Sequence, residues 1–390
     1  MPATVLRLKR GRDRARTHPW IFKGDVADVA GAGAGPVTVV DSAGRFVGRG
    51  FYNPRPALCC RVATWEDEPL DEGFFTRRIG AALRTRAPAG EAAAMELGRL
   101  VWSEADRLPG LVVDRYGPVL VLQCLTLGMA RSRATVVAAL HAVVGDLPVF
   151  SLDEATPARL EGFQPERGWV DRPGPESVVV HEGATSLRVT LGAGHKTGLY
   201  LDQRENRLRV GALARGREVL DVFAYTAAFA CHALRGGARA VVCVESSHEI
   251  AAAARENLAL NGGEGRSEVT EANAFDELRR LERAGRRFGL IVVDPPPFSR
   301  SRTTLDAALR GYKEVNLRAM RLLEPGGSLA TFSCSHHVSA ALFEEVCRDA
   351  ATDAGVTLRV RAHLTQASDH PVLLTVPETA YLKGLLLEAV

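Results

Sequence analysis

No run of about 18 apolar residues occurs in this 390-residue chain, so the sequence offers no membrane-spanning helix. Its basic opening, MPATVLRLKRGRDRARTHPW, has no apolar segment of the kind a secretory leader needs. No C-x-x-C pair is present, and the seven cysteines are scattered. A zinc ribbon and a disulfide framework are both disfavoured, and a reducing cytoplasmic setting is expected. Net charge is low as well, +3 at neutral pH, so any affinity for nucleic acid has to come from a local patch.

The composition that is present, 46% hydrophobic and 24% charged, is that of a globular protein, and the length suggests two or three domains. One basic patch stands out. Arg7, Lys9, Arg10, Arg12, Arg14, Arg16 and Lys23 face the single acid Asp13 within the first 24 residues, with His18, Trp20 and Phe22 among or beside them. This is either a solvated basic arm or a phosphate-contacting surface with stacking groups. Residues 1–70 read as short strands split by turns, a small β-barrel. Residues 71–185 read as an α+β unit, with a helix over FFTRRIGAALRTR, a hairpin over GLVVDRYGPVLVLQCL and a helix over ARSRATVVAALHAVV.

From residue 186 to 390 short apolar strands alternate with helices, the pattern of a doubly wound, mainly parallel α/β sheet. Strands are expected at REVLDVFA, AVVCVES, SEVTEANAF, FGLIVVDPPPF and SLATFSCS, and two more in HPVLLTVPETAYLKGLLLEAV. Ligands in such sheets lie beyond the carboxyl ends of the strands. Asp221 to Ala224, Glu245, Asn273, Asp294 to Pro297 and Ser333 to Ser335 therefore converge on one edge. An acid such as Glu245 at the end of the second strand can accept both hydroxyls of a ribose. The preceding loop, DVFAYTAAFA, holds no glycine, which disfavours a pyrophosphate and a nicotinamide dinucleotide. S-adenosylmethionine carries a ribose and an adenine without phosphate, and such a loop suits it. In DPPPF, a carboxylate (Asp294) beside a flat ring (Phe298) can hold a planar base by its polar edge, or the segment simply ends a strand.

DVFAYTAAFA, DPPPF and SCSHHV, together with HKTGLYLDQRENR, resemble the class I S-adenosylmethionine-dependent RNA methyltransferases. More narrowly, the chain resembles the family of ribosomal RNA large-subunit methyltransferases I, cytosine carbon-5 methyltransferases of 23S rRNA. RTHPWIFKGDV, LPGLVVDRYG, GYKEVNLRAM, LLEPGG and DHPVLLTVPETAYLKG extend the likeness over almost the whole chain. The resemblance implies an N-terminal PUA β-barrel that binds RNA, a central α+β domain and a C-terminal Rossmann-like methyltransferase domain. It implies that Tyr200, Gln203, Arg204, Asp221, Phe223, Glu245, Asn273, Ala274 and Asp294 surround S-adenosylmethionine. Asp294 would hold the target cytosine and Cys334 would attack it. Lys9, Arg10, Arg12, Trp20, Lys196 and Phe298 would meet the RNA. The partner is then 23S rRNA or an assembling large subunit, and a homodimer is expected because dimers are common in the family. The chain departs from the family in having Ala227 and Ala228 where glycine is frequent, Asn273 for aspartate and Pro297 for lysine.

In TFSCSHHV, Cys334 is a core thiol, a metal ligand or a nucleophile. A metal would find only one cysteine and two histidines at close spacing, so no metal is expected. A nucleophile needs thiolate character, for which His336, His337, Lys313 and Lys196 are candidate cations. Cys59, Cys60, Cys124, Cys231, Cys243 and Cys347 read as core. Two other functions remain open: amino-group methylation of guanine or adenine, in which Cys334 is dispensable, and a non-catalytic RNA-binding assembly factor.

Overall fold

The computed structural model describes residues 4–11, 17–31, 33–86, 95–192, 198–298 and 304–390. Arg12 and Lys196 lie outside the described residues. The chain divides into two compact units. Unit one comprises Met1–Val178, Val189–Gly198 and Ser368–Ala380; unit two comprises Val179–Arg188, Leu199–Ala367 and Tyr381–Val390.

Unit one opens with strands β1 (Thr4–Leu8), β2 (Trp20–Phe22), β3 (Val26–Ala30), β4 (Gly35–Val40), β5 (Phe46–Tyr52) and β6 (Leu58–Thr64). They form one sheet in the order β2-β6-β5-β4-β1-β3, antiparallel except for β1 beside β4. Alternate residues such as Leu6, Leu8, Val37 and Val39 are buried in its core, as period-two patterning requires. Helix α1 (Glu72–Arg86) follows, then β7 (Leu97–Trp102), β8 (Leu111–Tyr116), β9 (Val119–Cys124), α2 (Leu127–Arg131), α3 (Arg133–Val144), β10 (Val149–Leu152), α4 (Ala155–Glu161) and β11 (Arg167–Trp169). The expected hairpin is β8–β9, turning at Gly117 with φ +58°. The single helix expected over 130–144 is two, α2 and α3, meeting at Ser132. Phe74, Phe75, Ile79 and Leu83 form the buried stripe of α1 and pack with α3 and the five-stranded sheet β11-β10-β9-β8-β7. Arg99–Asp114 and Arg133–Asp153 are buried ion pairs, each within 2.8 Å.

The hairpin β12 (Ser177–Glu182) and β13 (Thr185–Thr190) lies mostly in unit two. There α5 (Arg204–Gly211), β14 (Glu218–Val222), α6 (Ala228–Arg235), β15 (Ala240–Glu245), α7 (His248–Leu260), β16 (Ser267–Glu271), α8 (Ala274–Arg283), β17 (Phe288–Val293), α9 (Leu305–Arg321), β18 (Leu323–Ser333), α10 (Ala340–Ala354), β19 (Leu358–Thr365) and β20 (Lys383–Ala389) follow in turn. The sheet runs β16-β15-β14-β17-β18-β20-β19. The first five of these are parallel, and β20 is antiparallel to both its neighbours. Strand order therefore reverses at β14, the switch point at which doubly wound sheets bind ligands. The run FGLIVV of β17 is buried throughout, as a central parallel strand must be. Leu278 and Leu281 of α8 and Val315 and Met320 of α9 are buried in the same core, each burial being worth roughly 1.5–3 kcal/mol.

One expectation is corrected. HPVLLTVPETAYLKGLLLEAV supplies one strand, β20, whereas the other closing strand is β19, further upstream. Residues 371 to 382 carry a lone bridge between Leu373 and Val376 and a short 3-10 turn at Pro377–Thr379. Pro371 and Pro377 lack the amide donors that a ladder needs. No helix among the described residues is long and apolar enough to cross a membrane.

Candidate active site at the carboxyl edge of unit two

The parallel ladders fix which side chains meet. Val222 pairs with Val244 on one side and Val293 on the other, and Val293 pairs with Thr331. Asp221 thus lies one residue before this row, Glu245 and Asp294 one residue beyond it and Cys334 three beyond it, all toward the carboxyl edge. After β14 the chain turns through Phe223, Tyr225 and Ala227, at φ +64°, +50° and +61°. Three non-glycine residues in the left-handed region cost on the order of 1 kcal/mol each, so the surroundings must hold the loop in place. Glu245 does part of this: Oε2 accepts from the Tyr225 amide at 3.0 Å, and Oε1 accepts from the amides of Ser246 and Ser247 at 2.7 and 2.9 Å. Asp221 is 1% exposed, and Oδ2 accepts from the Ala230 amide in the first turn of α6 at 3.1 Å. Burial pushes its carboxyl well above the usual range, against the pull of that amide.

Tyr200 packs edge-on against Tyr225, centroids 5.1 Å apart. Burial raises its phenol pKa, and Tyr225 and Asp294 raise it further. Gln203 is buried; Oε1 accepts from Asn206 at 2.7 Å, and Nε2 has no hydrogen-bond partner among the described residues. Thr226 Oγ1, in the strained loop, is likewise buried and without a partner among them. Arg204 begins α5. Asn273 caps α8, its Oδ1 accepting from the Phe275 amide at 3.0 Å, and Ala274 beside it is buried. Phe298 lies against Tyr312, Phe275 and Phe223, with centroids 4.7, 5.9 and 6.1 Å away.

Cys334 comes to DPPPF from 39 residues further along the chain: Sγ lies 3.9 Å from the Pro295 carbonyl oxygen. It is half-buried, whereas the other six cysteines are buried. Burial raises the thiol pKa of all six, that of Cys124 and Cys347 to about 12. Cys334 is the thiol most open to solvent among the seven. Of the cations that the sequence offers for it, Lys313 pairs with Asp353 at 2.8 Å, and His336 and His337 are exposed. Sequence reasoning missed Lys383, whose Nζ donates to the carbonyls of Ser335 and Val338 at 2.7 and 2.8 Å. Only the antiparallel pairing of β20 with β18 brings it there.

In unit one, Lys9 and Arg10 are exposed, and Lys9 Nζ donates to the Gly24 carbonyl at 2.9 Å. The Trp20 indole N–H donates to Glu104 at 2.8 Å. His18 is buried and meets Glu378 at 3.1 Å, so Phe22, 40% exposed, is the aromatic most open to solvent here.

These residues fit S-adenosylmethionine. A carboxylate held by three amides suits a ribose diol, the ring cluster suits an adenine, and two buried polar atoms await partners.

A family model described as S-adenosylmethionine-dependent methyltransferase matches residues 165–387, and one described as a PUA-like domain matches residues 5–65. The ribosomal RNA large subunit methyltransferase I of Alteromonas mediterranea is 37% identical over 388 residues, 98% of each chain. That of Klebsiella pneumoniae strain 342 is 38% identical, covering 98% of this chain and 97% of the relative. Among solved structures, a methyltransferase crystallised with SAH superposes with a TM-score of 0.85 at 19% identity, covering 98% of this chain and 99% of the other. A SAM-dependent methyltransferase from Streptococcus mutans gives 0.84 at 19% identity, covering 98% and 100%. The two structures agree in fold, and the family match and the identity to the curated relatives reach further: this chain belongs to the S-adenosylmethionine-dependent methyltransferases, with S-adenosylmethionine as its cofactor.

Proposed function

We propose that the protein methylates carbon-5 of a cytosine in 23S rRNA through a covalent bond between Cys334 and the base. The observation that carries this reading is the half-buried Cys334 thiol 3.9 Å from the DPPPF segment, at the strand edge where the cofactor fits. The names of the curated relatives support ribosomal RNA as the substrate.

Carbon-5 of cytosine is a weak nucleophile. The Cys334 thiolate adds to carbon-6, and carbon-5 then behaves as an enamine carbon. S-adenosylmethionine supplies an electrophilic methyl group. Once carbon-5 is methylated, a base takes its proton and the thiolate leaves, restoring the ring. Asp294 meets the N3–N4 edge of the cytosine, where a carboxylate accepts from the amino group. Glu245 holds the ribose of the cofactor, with Phe223, Asn273 and Ala274 beside the adenine. Tyr200, Gln203 and Arg204, from the segment that leads into α5, close the site, and Asp221 supports the loop through Ala230. Pro297 stands where many RNA cytosine methyltransferases carry a second cysteine, so Cys334 both adds and leaves.

The PUA-like domain holds RNA phosphates through Lys9, Arg10 and Arg12, with Trp20 alongside; Lys196 and Phe298 are further contacts to the substrate. The protein works in the cytoplasm as a homodimer, on rRNA or an assembling large subunit.

Tritium release tests the reaction. The protein, S-adenosylmethionine and unmodified 23S rRNA labelled with tritium at cytosine carbon-5 are incubated beside a Cys334→Ala variant. Release by the parent and none by the variant is expected. Methyl transfer to RNA without release would move the target to an amino group.

A further inference from the structure

Cys334 is followed by a tight turn: the Val338 amide donates to the Ser335 carbonyl at 3.2 Å. The same carbonyl accepts from Lys383 Nζ at 2.7 Å, and the Val338 carbonyl accepts from Nζ at 2.8 Å. One ammonium thus holds both ends of the turn. It arrives by register, since Lys383 opens β20 directly across from Ser333, the residue before Cys334. Gly384 lets that strand lie close, because a Cβ there would come within 2.5 Å of the Phe332 ring and 2.8 Å of the Thr331 carbonyl oxygen. From the other side, the Tyr312 hydroxyl holds Ser335 Oγ at 2.9 Å.

Lys383 is half-buried, and among the described residues no carboxylate forms an ion pair with it. The buried arginines of this protein are treated differently: Arg99, Arg133 and Arg207 each face an acid. A half-buried cation satisfied only by carbonyls keeps its charge available to an anion, and the nearby group that can become one is the Cys334 thiol. Burial draws the Lys383 ammonium pKa down to about 8, and the charge of Cys334 opposes the fall. The phenols facing the same thiol, Tyr200 and Tyr312, have their pKa values raised, chiefly by burial, and so stay neutral; Asp294 faces Tyr200. His336 is exposed, its ring 6.0 Å from that of Tyr381.

We propose that Lys383 is a positioning residue for Cys334, pinning the turn that follows the thiol and stabilising its thiolate as an ammonium–thiolate pair. The thiol proton passes to solvent while the ammonium, below its own pKa of about 8, keeps its three protons, and no other bond changes. The inference rests on the nucleophilic reading of Cys334 but is tested without RNA.

Iodoacetamide alkylation, followed by mass spectrometry across pH, reads Cys334 selectively in the folded protein, because the other six thiols are buried. In Lys383→Met the pH midpoint of alkylation rises by about one unit, a roughly tenfold slower reaction near neutral pH. Lys383→Arg keeps the midpoint near that of the parent. Lys383→Gln replaces the methionine variant if that one fails to fold, as judged by its thermal transition. An unmoved midpoint in a folded neutral variant overturns the inference, and so does an arginine variant that shifts as far as the methionine one. The cytosine reading fails separately, if Cys334→Ala still releases tritium.

Discussion

Arg207 is the largest fully buried side chain among the described residues, and removing its charge should be felt in both stability and cofactor binding. Its Nε donates to Glu182 Oε2 at 2.8 Å, Nη2 donates to Oε1, and Nη1 donates to the Tyr200 carbonyl at 2.8 Å. His232 meets Glu182 Oε2 at 2.8 Å as well. Burial pushes the Glu182 carboxyl up, but attraction to Arg207 and the bonds from His232 and Arg207 outweigh it, and its pKa falls from 4.5 to about 2. The folded value lies below the unfolded one. The stabilisation is therefore present above about pH 4.5 and is lost as pH falls toward 2. A gap of about 2.5 units corresponds to roughly 3 kcal/mol. Arg207→Met leaves a buried carboxylate with His232 as its remaining partner and should cost about 3 kcal/mol at pH 7. Replacing both partners, Glu182→Leu with Arg207→Met, should recover most of that loss, since the charge is gone with its partner. The Tyr200 carbonyl loses its anchor in both variants, so affinity for S-adenosylmethionine falls in both. Urea unfolding at pH 7 and titration calorimetry separate the two effects. A single variant within about 1 kcal/mol of the parent, binding the cofactor equally well, would refute the reasoning.

Glu245→Gln removes the charge from the acceptor assigned to the ribose and weakens its grip on the Tyr225 amide; loss of a charged hydrogen bond is worth about 1.5–3 kcal/mol, so calorimetry should read a Kd higher by roughly ten- to a hundredfold. Lys9→Ala with Arg10→Ala should weaken RNA binding across sequences alike and flatten the dependence of log K on log salt by about two units, as a filter-binding salt series would measure.

The alternation of strands and helices in unit two is legible in the sequence because each central strand is a short apolar run closed by a breaker. β17 ends at the prolines of DPPPF, and α6 stops at Gly236. That pattern is enough to put Glu245, Asp294 and Cys334 on one edge. It is silent on contacts made across long separations. The Trp20 indole is tied to Glu104, 84 residues away, and Lys383 reaches the turn after Cys334 through the insertion of β20 between β18 and β19. Backbone conformation was also hidden. In this loop without glycine, Phe223, Tyr225 and Ala227 all occupy the left-handed region, held by bonds such as the one from the Tyr225 amide to Glu245. HPVLL reads as a strand by its apolar content, and the two prolines flanking its turn decide otherwise.

The reversed direction of β20 sorts charge by strand polarity. Parallel strands meet the site with their ends, and here those ends bring acids: Glu245, Glu271 and Asp294. An edge built from them alone would welcome a cationic methyl donor, repel phosphate and oppose the ionisation of a thiol. A single antiparallel strand enters the same edge with its beginning, and its first residue is a lysine. One inverted segment thus gives the sheet edge an acidic side and a basic corner beside the turn after Cys334, two fields that strands of one direction leave uniform.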